Sequence, residues 1–342
     1  MRKLGLIGKF IYFINAIFAL LLLLSLLVPY VPPKQFPIVS VLSLLVAPLI
    51  LINIIFVGYW LLRLRKQLLL STITLALCFV QFNSFYRIPL LTAESQPKTN
   101  QLRLMSYNVR SFNSNKWIDD NTVALQIESL IANENPDVVS FQEYDKRHGV
   151  KFSDFPYKYV KLKRANGAFG QAIYSKYPIV KQGSFDFENT SNNAIFVDIV
   201  KANDTLRIYN LHLESLHLKS DDLDFNHESS KKLVRRIANS FQIQQTQLEK
   251  VVIHKHQSPH KTIVTADMNN TAFSYNYRKL NTGMNDAFAK SGSGLGTTFV
   301  LQNIPLRIDF ILADQRFDIN KFTTFSEDLS DHFPISALLS WD

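Results

Sequence analysis

The first ninety residues restrict the fold most, because they contain no aspartate or glutamate. Three apolar stretches follow one another there: 10–28, 36–62 and 68–85. About 20 apolar residues are enough for a helix to cross a bilayer. A cleaved signal sequence does not fit, since two more apolar stretches follow the first. We therefore predict that residues 1–90 form a membrane anchor of three transmembrane helices.

The positive charges of this segment predict its orientation. Three basic residues precede the first stretch and three more separate the second from the third, whereas Lys34 alone separates the first from the second. Loops rich in lysine and arginine stay in the cytoplasm. We expect an integral protein of the cytoplasmic (inner) membrane whose residues after the third helix are extracytoplasmic. The two cytoplasmic groups are Arg2, Lys3 and Lys9, and Arg63, Arg65 and Lys66.

The net charge of +9 belongs almost entirely to the anchor. The chain has 37 basic and 28 acidic residues, and eight of the basic ones lie in the first ninety residues, so the remainder is close to neutral. Net charge therefore argues mildly against a long nucleic acid as partner, although a local basic patch can exist within a neutral total. The single cysteine, Cys78, excludes an intrachain disulfide.

A polar linker at 91–101 precedes a soluble domain, which we place at 102–342. Hydrophobic periodicity predicts two helices in this domain, at 122–133 and 228–256. Short runs rich in β-branched and aromatic residues predict strands. Many strands with few long helices indicate packed sheets with helices outside. The predicted strands are 102–109, 137–143, 170–175, 194–200, 206–213, 262–267, 307–313 and 335–340.

Polar residues suited to a metal or a phosphate stand at the ends of these strands. If the ends converge, one cleft collects carboxylates, imidazoles and amides but no thiolate. Such a set suits Mg²⁺ or Mn²⁺ better than a structural zinc. The residues are Asn108, Gln142, Glu143, Asn210, His212, Asp267, Asn269, Asp309, Asp331 and His332.

The ordered set of short motifs resembles the endonuclease/exonuclease/phosphatase superfamily of divalent-metal phosphoesterases. Each motif is weak alone, but six in order across the soluble part are specific. The resemblance implies an α/β fold, a four-layer α/β/β/α sandwich of two mixed sheets. The motifs are SYNVR (106–110), SFQE (140–143), YNLHLES (209–215), TADMN (265–269), RIDFIL (307–312) and SDH (330–332).

The resemblance also implies the metal ligands. Glu143 is the main ligand of Mg²⁺ or Mn²⁺, with Asn108 beside it and Asp331 as a third. The alternatives are a surface acid that ends a strand for Glu143 and a turn-forming residue for Asn108.

The same resemblance assigns the acid–base roles. His332 binds or protonates a phosphoryl oxygen, and Asp309 holds its ring, because a carboxylate fixes the tautomer of a neighbouring imidazole. Asp267 orients or deprotonates the attacking water. The turn before the last strand lets Asp331 and His332 face different parts of one site, although a capped turn with a solvated histidine is the alternative.

Phosphate contacts are assigned to Asn269, Asn210 and His212, the last two of which share one strand face. An Asx-type turn is the alternative for Asp267 and Asn269. Tyr174 is a further catalytic candidate that could equally be a core aromatic. Arg110 could equally be a surface ion-pair partner.

Three other features of the sequence concern the surroundings of the predicted site. The family usually has glycine where Ala266 stands, and alanine takes a positive φ only at a cost; we expect activity to survive. The cluster of His254, His256 and His260 is interpreted as a solvated loop, because no cysteine or acid lies near it in the sequence. The glycine-rich segment 291–299 lacks the ending of a nucleotide P-loop and is interpreted as a mobile loop beside the cleft.

These features predict a membrane-anchored, Mg²⁺- or Mn²⁺-dependent phosphoesterase, nuclease-like or lipid phosphodiesterase-like. Its substrate could be a nucleic acid, a nucleotide or a phospholipid headgroup, since the fold alone does not choose. No protein partner is predicted. The alternative is a catalytically inactive, membrane-tethered binding module of the same fold, which loss of the metal ligand or of the SDH pair would favour; both are present.

Overall fold

The computed structural model describes residues 4–79, 86–88, 98, 100–164, 166–216, 227–301 and 303–342. The chain divides into two compact units. The first comprises residues 1–85, 218–242 and 270–278, and the second comprises residues 86–217, 243–269 and 279–342. Most of the predicted linker lies outside the described residues.

The first unit contains helices α1 (Leu6–Ser25), α2 (Pro37–Ser40), α3 (Val46–Leu62) and α4 (Leu68–Leu77), with 3₁₀ turns at Val28–Tyr30 and Val41–Leu45. Two segments, Leu6–Tyr30 and Pro37–Leu62, are long and apolar enough to cross a membrane. Only 28% and 33% of their most apolar windows are buried. A helix in contact with lipid requires such exposure, whereas the core helix of a soluble protein does not.

The prediction of three spanning helices is wrong for the described residues. Helix α4 has 10 residues, and at 1.5 Å per residue it is about 15 Å long, half the ~30 Å hydrocarbon core. Within its described residues, the first unit therefore has two helices of spanning length and one shorter apolar helix. Residues 80–85 of the predicted third span lie outside the described residues.

Buried polar side chains join the helices of the first unit. Asn15 on α1 donates to the hydroxyl of Ser71 on α4 (2.6 Å), and Ser71 donates to Oδ1 of Asn53 on α3 (2.8 Å). The indole of Trp60 on α3 donates to Oδ1 of Asn15 (3.0 Å). In an apolar environment these groups must satisfy one another, so the network fixes how the three helices pack.

The second unit is built mainly from strands. Helix α5 is Val123–Glu134, and helices α6 (His227–His256) and α7 (Tyr275–Leu280) each begin in the first unit and end in the second. Helix α8 is Ala287–Ser291. The strands are β1 (Asn100–Asn108), β2 (Val138–Asp145), β3 (Tyr157–Leu162), β4 (Phe169–Ser175), β5 (Ile179–Ser184), β6 (Asn193–Lys201), β7 (Asp204–His212), β8 (Lys261–Asp267), β9 (Met284–Asp286), β10 (Phe299–Leu301), β11 (Ile304–Leu306), β12 (Asp309–Asp314), β13 (Asp318–Thr324) and β14 (Ile335–Trp341).

Both predicted helices and all eight predicted strands are confirmed, although the strand predicted at 307–313 begins at Asp309. The strands missed are mostly short or lie at sheet edges, such as β3, β5 and β13. Edge strands carry polar, exposed residues that weaken the period-two pattern. The residues of β3 and β5 are largely exposed or half-buried, which agrees with this reason.

In the described residues the strands form two six-stranded sheets and a β10–β11 hairpin. One sheet has the order β13-β14-β1-β2-β4-β3 and the other β5-β6-β7-β8-β12-β9. Each contains one parallel pair, β1–β2 and β7–β8, among antiparallel neighbours. Both sheets are therefore mixed.

A buried apolar cluster joins the two sheets face to face. It contains Leu104 and Ile335 from the first sheet and Ile208 and Ile311 from the second. A second cluster packs the outer face of the first sheet against α5 through Ile127 and Ile131. Apolar residues on both sides of a mixed sheet need helices outside, and the predicted α/β sandwich of two mixed sheets is confirmed.

Candidate active site

The predicted residues converge because the parallel pairs end at the same place. Asn108 ends β1, and in the register of the parallel pair it lies opposite Gln142 of β2. In the second sheet His212 ends β7 and lies opposite Asp267, the last residue of β8. Asp309, which begins β12, lies opposite the same Asp267. The carboxyl ends of both parallel pairs thus contribute to one cluster, where ligands bind in open α/β sheets.

A β-bulge directs Glu143 into this cluster. The pairing of β2 with β4 shifts register between Phe141 and Tyr144, and Glu143 within the bulge has a φ of 50°. A left-handed conformation is uncommon outside glycine, asparagine and aspartate, and such residues are often found at functional sites. The bulge leaves the Glu143 side chain 40% exposed, so it is open to a ligand from solvent.

Asn108 links the two acids at the centre of the cluster. Its Nδ2 donates to Oε1 of Glu143 (3.3 Å) and to Oδ2 of Asp267 (2.9 Å). Its Oδ1 accepts from the backbone N–H of Arg110 (3.1 Å). Asn108 joins the first sheet to the second through one amide, which fixes the separation of the two carboxylates.

Asp267 is the most crowded acid of the site. Besides Asn108, Nε2 of His212 lies 3.6 Å and Nε2 of His332 lies 3.8 Å from its Oδ2. Its other oxygen, Oδ1, accepts from the backbone N–H of Asn269 (3.0 Å), whose φ is 47°. Asp267 is fully buried, so nitrogen donors rather than water surround its charge.

His332 and Asp309 form a buried ion pair, with Nδ1 of the imidazole 2.9 Å from Oδ2 of the carboxylate. Burial alone lowers the pKa of an imidazole, but the charges of Asp309 and Asp267 outweigh it and raise the pKa of His332 to about 10. Burial raises the pKa of Asp309 to about 6, against the opposing effect of His332. At neutral pH the pair is imidazolium and carboxylate.

The Nε2 of His212 has no hydrogen-bond partner among the described residues, although the atom is buried. It lies 3.9 Å from Oε1 of Glu143 and 3.6 Å from Oδ2 of Asp267, beyond normal hydrogen-bond length. A buried polar atom without a partner is costly and usually has a functional reason. This nitrogen points to a ligand between the two acids.

A family profile decides what kind of protein this is. The profile described as "Endonuclease/Exonuclease/phosphatase family" matches residues 105–332, about two thirds of the chain. The chain belongs to the endonuclease/exonuclease/phosphatase family. A second profile, a domain of unknown function (DUF8431), matches residues 8–85. A search of the curated proteins found no match.

Solved structures of this family share the fold at low identity. The D. rerio TDP2 structure complexed with a single-strand DNA product has a TM-score of 0.55 and 17% identity over 70% of this chain and 99% of its own. An endonuclease/exonuclease/phosphatase from Bacteroides vulgatus has a TM-score of 0.54 and 17% identity over 71% and 100%. A mannosyl-6-phosphatase from Bacteroides thetaiotaomicron has a TM-score of 0.52 and 16% identity over 70% and 100%. The likeness establishes the fold over about 70% of this chain.

Family members generally use divalent metals, and two groups of this site could hold one. Asp267, Asp309 and His332 have ligand atoms within 4.8 Å of one another. We favour Glu143 with Asn108, because the Glu143 carboxylate is 40% exposed to solvent, whereas Asp267, Asp309 and His332 are buried. The half-exposed carboxylate of Glu143, with the unpartnered Nε2 of His212 nearby, fits a hard cation and the anion it would bind.

Asp331 lies apart from the central contacts. Its Oδ2 is 3.3 Å from Nε of Arg110, and both side chains are about one third exposed. The adjacent Ser330 donates to the carbonyl of Asn108 (2.8 Å), which ties this turn to the end of β1. The turn therefore separates an outward Asp331 from a buried His332. Metal ligation by Asp331 stays a prediction.

Two other predicted residues use their polar atoms within the protein. The amide of Asn210 donates to the carbonyls of Phe141 and Ala172 and accepts from Gln142. The hydroxyl of Tyr174 lies 2.9 Å from that of Tyr144 in a buried aromatic cluster. The Asn210 contacts join the two sheets beneath the site, whereas the tyrosine pair lies within the first sheet. Direct phosphate contact by Asn210 or Tyr174 stays a prediction. Asn269 donates to the carbonyl of Leu213 (3.0 Å) as well as contacting Asp267.

The structure answers two questions about residues near the site, Ala266 and His254. Ala266 has a negative φ in the middle of paired strands, so the position does not require glycine. The positive φ occurs three residues later, at Asn269. His254 does not lie in a solvated loop: it is in α6, its Nδ1 is 2.6 Å from the hydroxyl of Tyr209, and its ring packs on Phe196. His254 packs against aromatic rings, whereas its polar neighbours in the sequence predicted a solvated position.

Sequence reasoning missed contributions of the glycine-rich segment. The hydroxyl of Thr298 accepts from the backbone N–H groups of Ile308 and Asp309 and so fixes the start of β12. The ring of Phe299 lies 5.0 Å from that of His332. These contacts depend on tertiary packing, so a comparison of the segment with the P-loop motif could not predict them.

Proposed function

We propose that the chain is a membrane-anchored phosphodiesterase that depends on Mg²⁺ or Mn²⁺. The contacts around Oδ2 of Asp267 support this proposal best: an amide and two imidazoles from both sheets surround one buried carboxylate, and Glu143 stands beside them. Hydrolysis of a phosphodiester needs an activated water, neutralised phosphoryl oxygens and a protonated leaving group. The cluster provides groups for each requirement.

Glu143 and Asn108, with Asp331 as the third predicted ligand, would hold the metal. The metal would neutralise charge on the phosphoryl oxygens. Ligation through the amide oxygen of Asn108 competes with its present hydrogen bond from Arg110. The neighbouring carboxylate of Glu143 is open to solvent, and the hydrogen bond that its Oε1 accepts from Asn108 is long, at 3.3 Å.

Side chains of the protein would donate and accept the protons of the reaction. Protonated His332, held through Nδ1 by Asp309, would donate from Nε2–H to a phosphoryl oxygen or transfer that proton to the leaving oxygen. The buried carboxylate of Asp267 would orient and deprotonate the attacking water. His212 would donate to the phosphate through its unpartnered Nε2, and the Asn269 side chain would hydrogen-bond the same group.

Hydrolysis of bis(p-nitrophenyl) phosphate by the full chain in detergent tests the proposal. We expect turnover with Mg²⁺ or Mn²⁺ and its loss on chelation. His332→Ala should lower kcat by orders of magnitude, while the matched variant His256→Ala, an exposed histidine of α6, should not. Absence of metal-dependent turnover in this diester and in a panel of natural phosphodiesters would favour an inactive binding module.

Residues 270–278 contact the two apolar helices near the connection between them. These contacts are relevant to the side of the membrane on which the catalytic domain lies. Thr271 donates to the carbonyl of Ser43 (2.9 Å), and the guanidinium of Arg278 lies 4.2 Å from the ring of Tyr30. Tyr30 and Ser43 flank the connection between the two spanning helices, at the opposite end from the basic residues 63–66. We propose that these contacts, and the catalytic domain continuous with them, are extracytoplasmic. Accessibility of a C-terminal cysteine to an impermeant reagent in intact cells tests this.

A further inference from the structure

A cleft of about 1020 Å³ adjoins the catalytic cluster, and Glu143 and His212 form part of its wall. Its volume far exceeds that of one phosphate group, so it can hold a portion of the substrate beyond the scissile bond. All of its lining residues belong to the second unit.

Among the described residues, five basic ones line this cleft: Lys146, Arg147, Lys161, Lys163 and Arg164. They converge because the end of β2 and the β3–β4 hairpin are hydrogen-bonded to each other. The backbone N–H of Lys146 donates to the carbonyl of Ala168 (3.0 Å), and that of Lys163 donates to the carbonyl of Phe169 (2.9 Å). A domain close to neutral overall thus places a local excess of positive charge beside its catalytic cluster.

The five cations are not equally available. Arg147 makes a bidentate ion pair with Asp145 (3.0 and 2.8 Å), and Lys161 lies 2.8 Å from Asp186. Lys163 donates to the uncharged carbonyl of Phe187 (2.8 Å), and Asp186 attracts it only from beyond ion-pair distance.

Lys146, Lys163 and Arg164 have no carboxylate within ion-pair distance among the residues that the structure describes. The acid in the described lining is Glu143, the proposed metal ligand. Asp145 and Asp186 pair with Arg147 and Lys161, and Glu143 offsets one of the other three cations, so the cleft carries a surplus of about two positive charges.

We propose that this surplus binds a second phosphate, or a comparable anionic group, of the substrate. The inference rests on the proposed function and deepens it: the substrate is polyanionic, and a neutral sugar or a zwitterionic headgroup next to the scissile bond fits the cleft less well. Lysine and arginine side chains recognise phosphate through charge-assisted hydrogen bonds. Lys163 and Arg164 in the hairpin, with Lys146 facing them, are the specificity residues.

Paired substrates that differ by one phosphate test the proposal. The full chain in detergent is assayed on thymidylyl-thymidine with and without a 5′-phosphate, and on phosphatidylinositol 4-phosphate against phosphatidylinositol in mixed micelles. We expect kcat/KM to be on the order of tenfold higher for the phosphorylated member of at least one pair. Which pair shows the preference identifies a nucleotide or a lipid source. The preference should weaken as ionic strength rises.

The double variant Lys163→Gln/Arg164→Gln should bring the ratio of kcat/KM values close to one, and Lys146→Gln should lower it. The control Lys250→Gln removes an exposed lysine of α6 outside the cleft and should leave the ratio at the wild-type value. Equal kcat/KM values for both members of both pairs, or a ratio that the double variant does not change, would overturn the proposal.

Binding separates this inference from the proposed function. In a chelator, the affinity of the full chain for the phosphorylated and unphosphorylated dinucleotides and headgroups is measured by calorimetry. A binding preference without hydrolysis would leave the inference standing and reject the enzyme. Hydrolysis with equal affinities would leave the enzyme standing and reject the inference.

Discussion

The carboxylate of Asp309 lies 2.9 Å from Nδ1 of His332, and both side chains are buried. Asp309 begins β12 and His332 precedes β14, which belong to different sheets. The pair therefore forms only when the two sheets are packed. It fixes the ring so that Nε2 faces Asp267, 3.8 Å away.

The first prediction concerns this pair. Asp309→Asn keeps the shape of the side chain but removes the charge that favours the imidazolium of His332. We expect kcat on bis(p-nitrophenyl) phosphate to fall on the order of 10²–10⁴-fold, as for other imidazoles deprived of an orienting carboxylate, with a small change in KM. Asp318→Asn, on the outer strand β13, is the matched control. A loss below tenfold with the fold intact would refute the orienting role.

The second prediction concerns Glu143. Glu143→Gln keeps the bulge and the contact with Asn108 but removes the charge that would attract a divalent cation. We expect the Mg²⁺ concentration for half-maximal activity to rise at least about tenfold, because a carboxylate is a far stronger ligand than an amide. Glu188→Gln removes an exposed acid of the same unit and serves as control. An unchanged metal requirement would move the metal to the group of Asp267 and Asp309.

Much of the fold could be predicted from the sequence, because alternation and helical periodicity report burial directly. The strand ends that carry Asn108, Glu143, Asp267 and His332 were located without coordinates. Which side chains lie next to these residues depends on the tertiary structure. The bulge that turns Glu143, and the separation of Asp331 from His332, arise from register and turn geometry that no local pattern encodes.

Among the properties summed over the whole domain, the net charge predicted the surface least well. Near neutrality of the domain concealed the cleft at Lys146, Lys163 and Arg164, because net charge sums over a surface and discards position. The two basic segments lie apart in sequence and meet only through the pairing of β2, β4 and β3. The third apolar stretch gave the opposite error, because it predicted a spanning helix that the described residues do not form. Its apolar sequence continues past the 10 residues that form α4.

The third prediction uses a buried lysine away from the site. Lys255 on α6 donates to the carbonyls of Leu280 (2.9 Å) and Thr282 (3.3 Å). Burial lowers its pKa to about 8, from an ordinary value of 10.5, although Asp314 acts in the opposite direction. Between these two values the unfolded chain binds more protons than the folded chain, so this lysine makes stability rise with pH across that window.

The comparison of Lys255→Met with the wild type isolates the effect. Between pH 8 and pH 10.5 the free energy of unfolding of the wild type should gain roughly 3 kcal/mol relative to the variant. Urea denaturation of the full chain in detergent at both pH values measures it, with Lys250→Met as the exposed control. Parallel pH dependences of wild type and Lys255→Met would show that the lysine is not desolvated.

The fourth prediction concerns the network that joins the helices of the first unit, the proposed membrane anchor. Asn15→Leu removes the hydrogen bonds to Ser71 and from Trp60, and leaves their polar atoms facing an apolar side chain. Interhelical hydrogen bonds in membranes contribute on average about 0.6 kcal/mol each and at most about 1.7. We therefore expect the anchor to lose about 1–3 kcal/mol of stability, measured by unfolding in mixed micelles. Thr72→Leu is the matched control, because Thr72 is exposed and bonds only to the carbonyl of Leu68 in its own helix. Equal stability of the two variants would mean that apolar packing, and not the asparagine, holds α1 against α3 and α4.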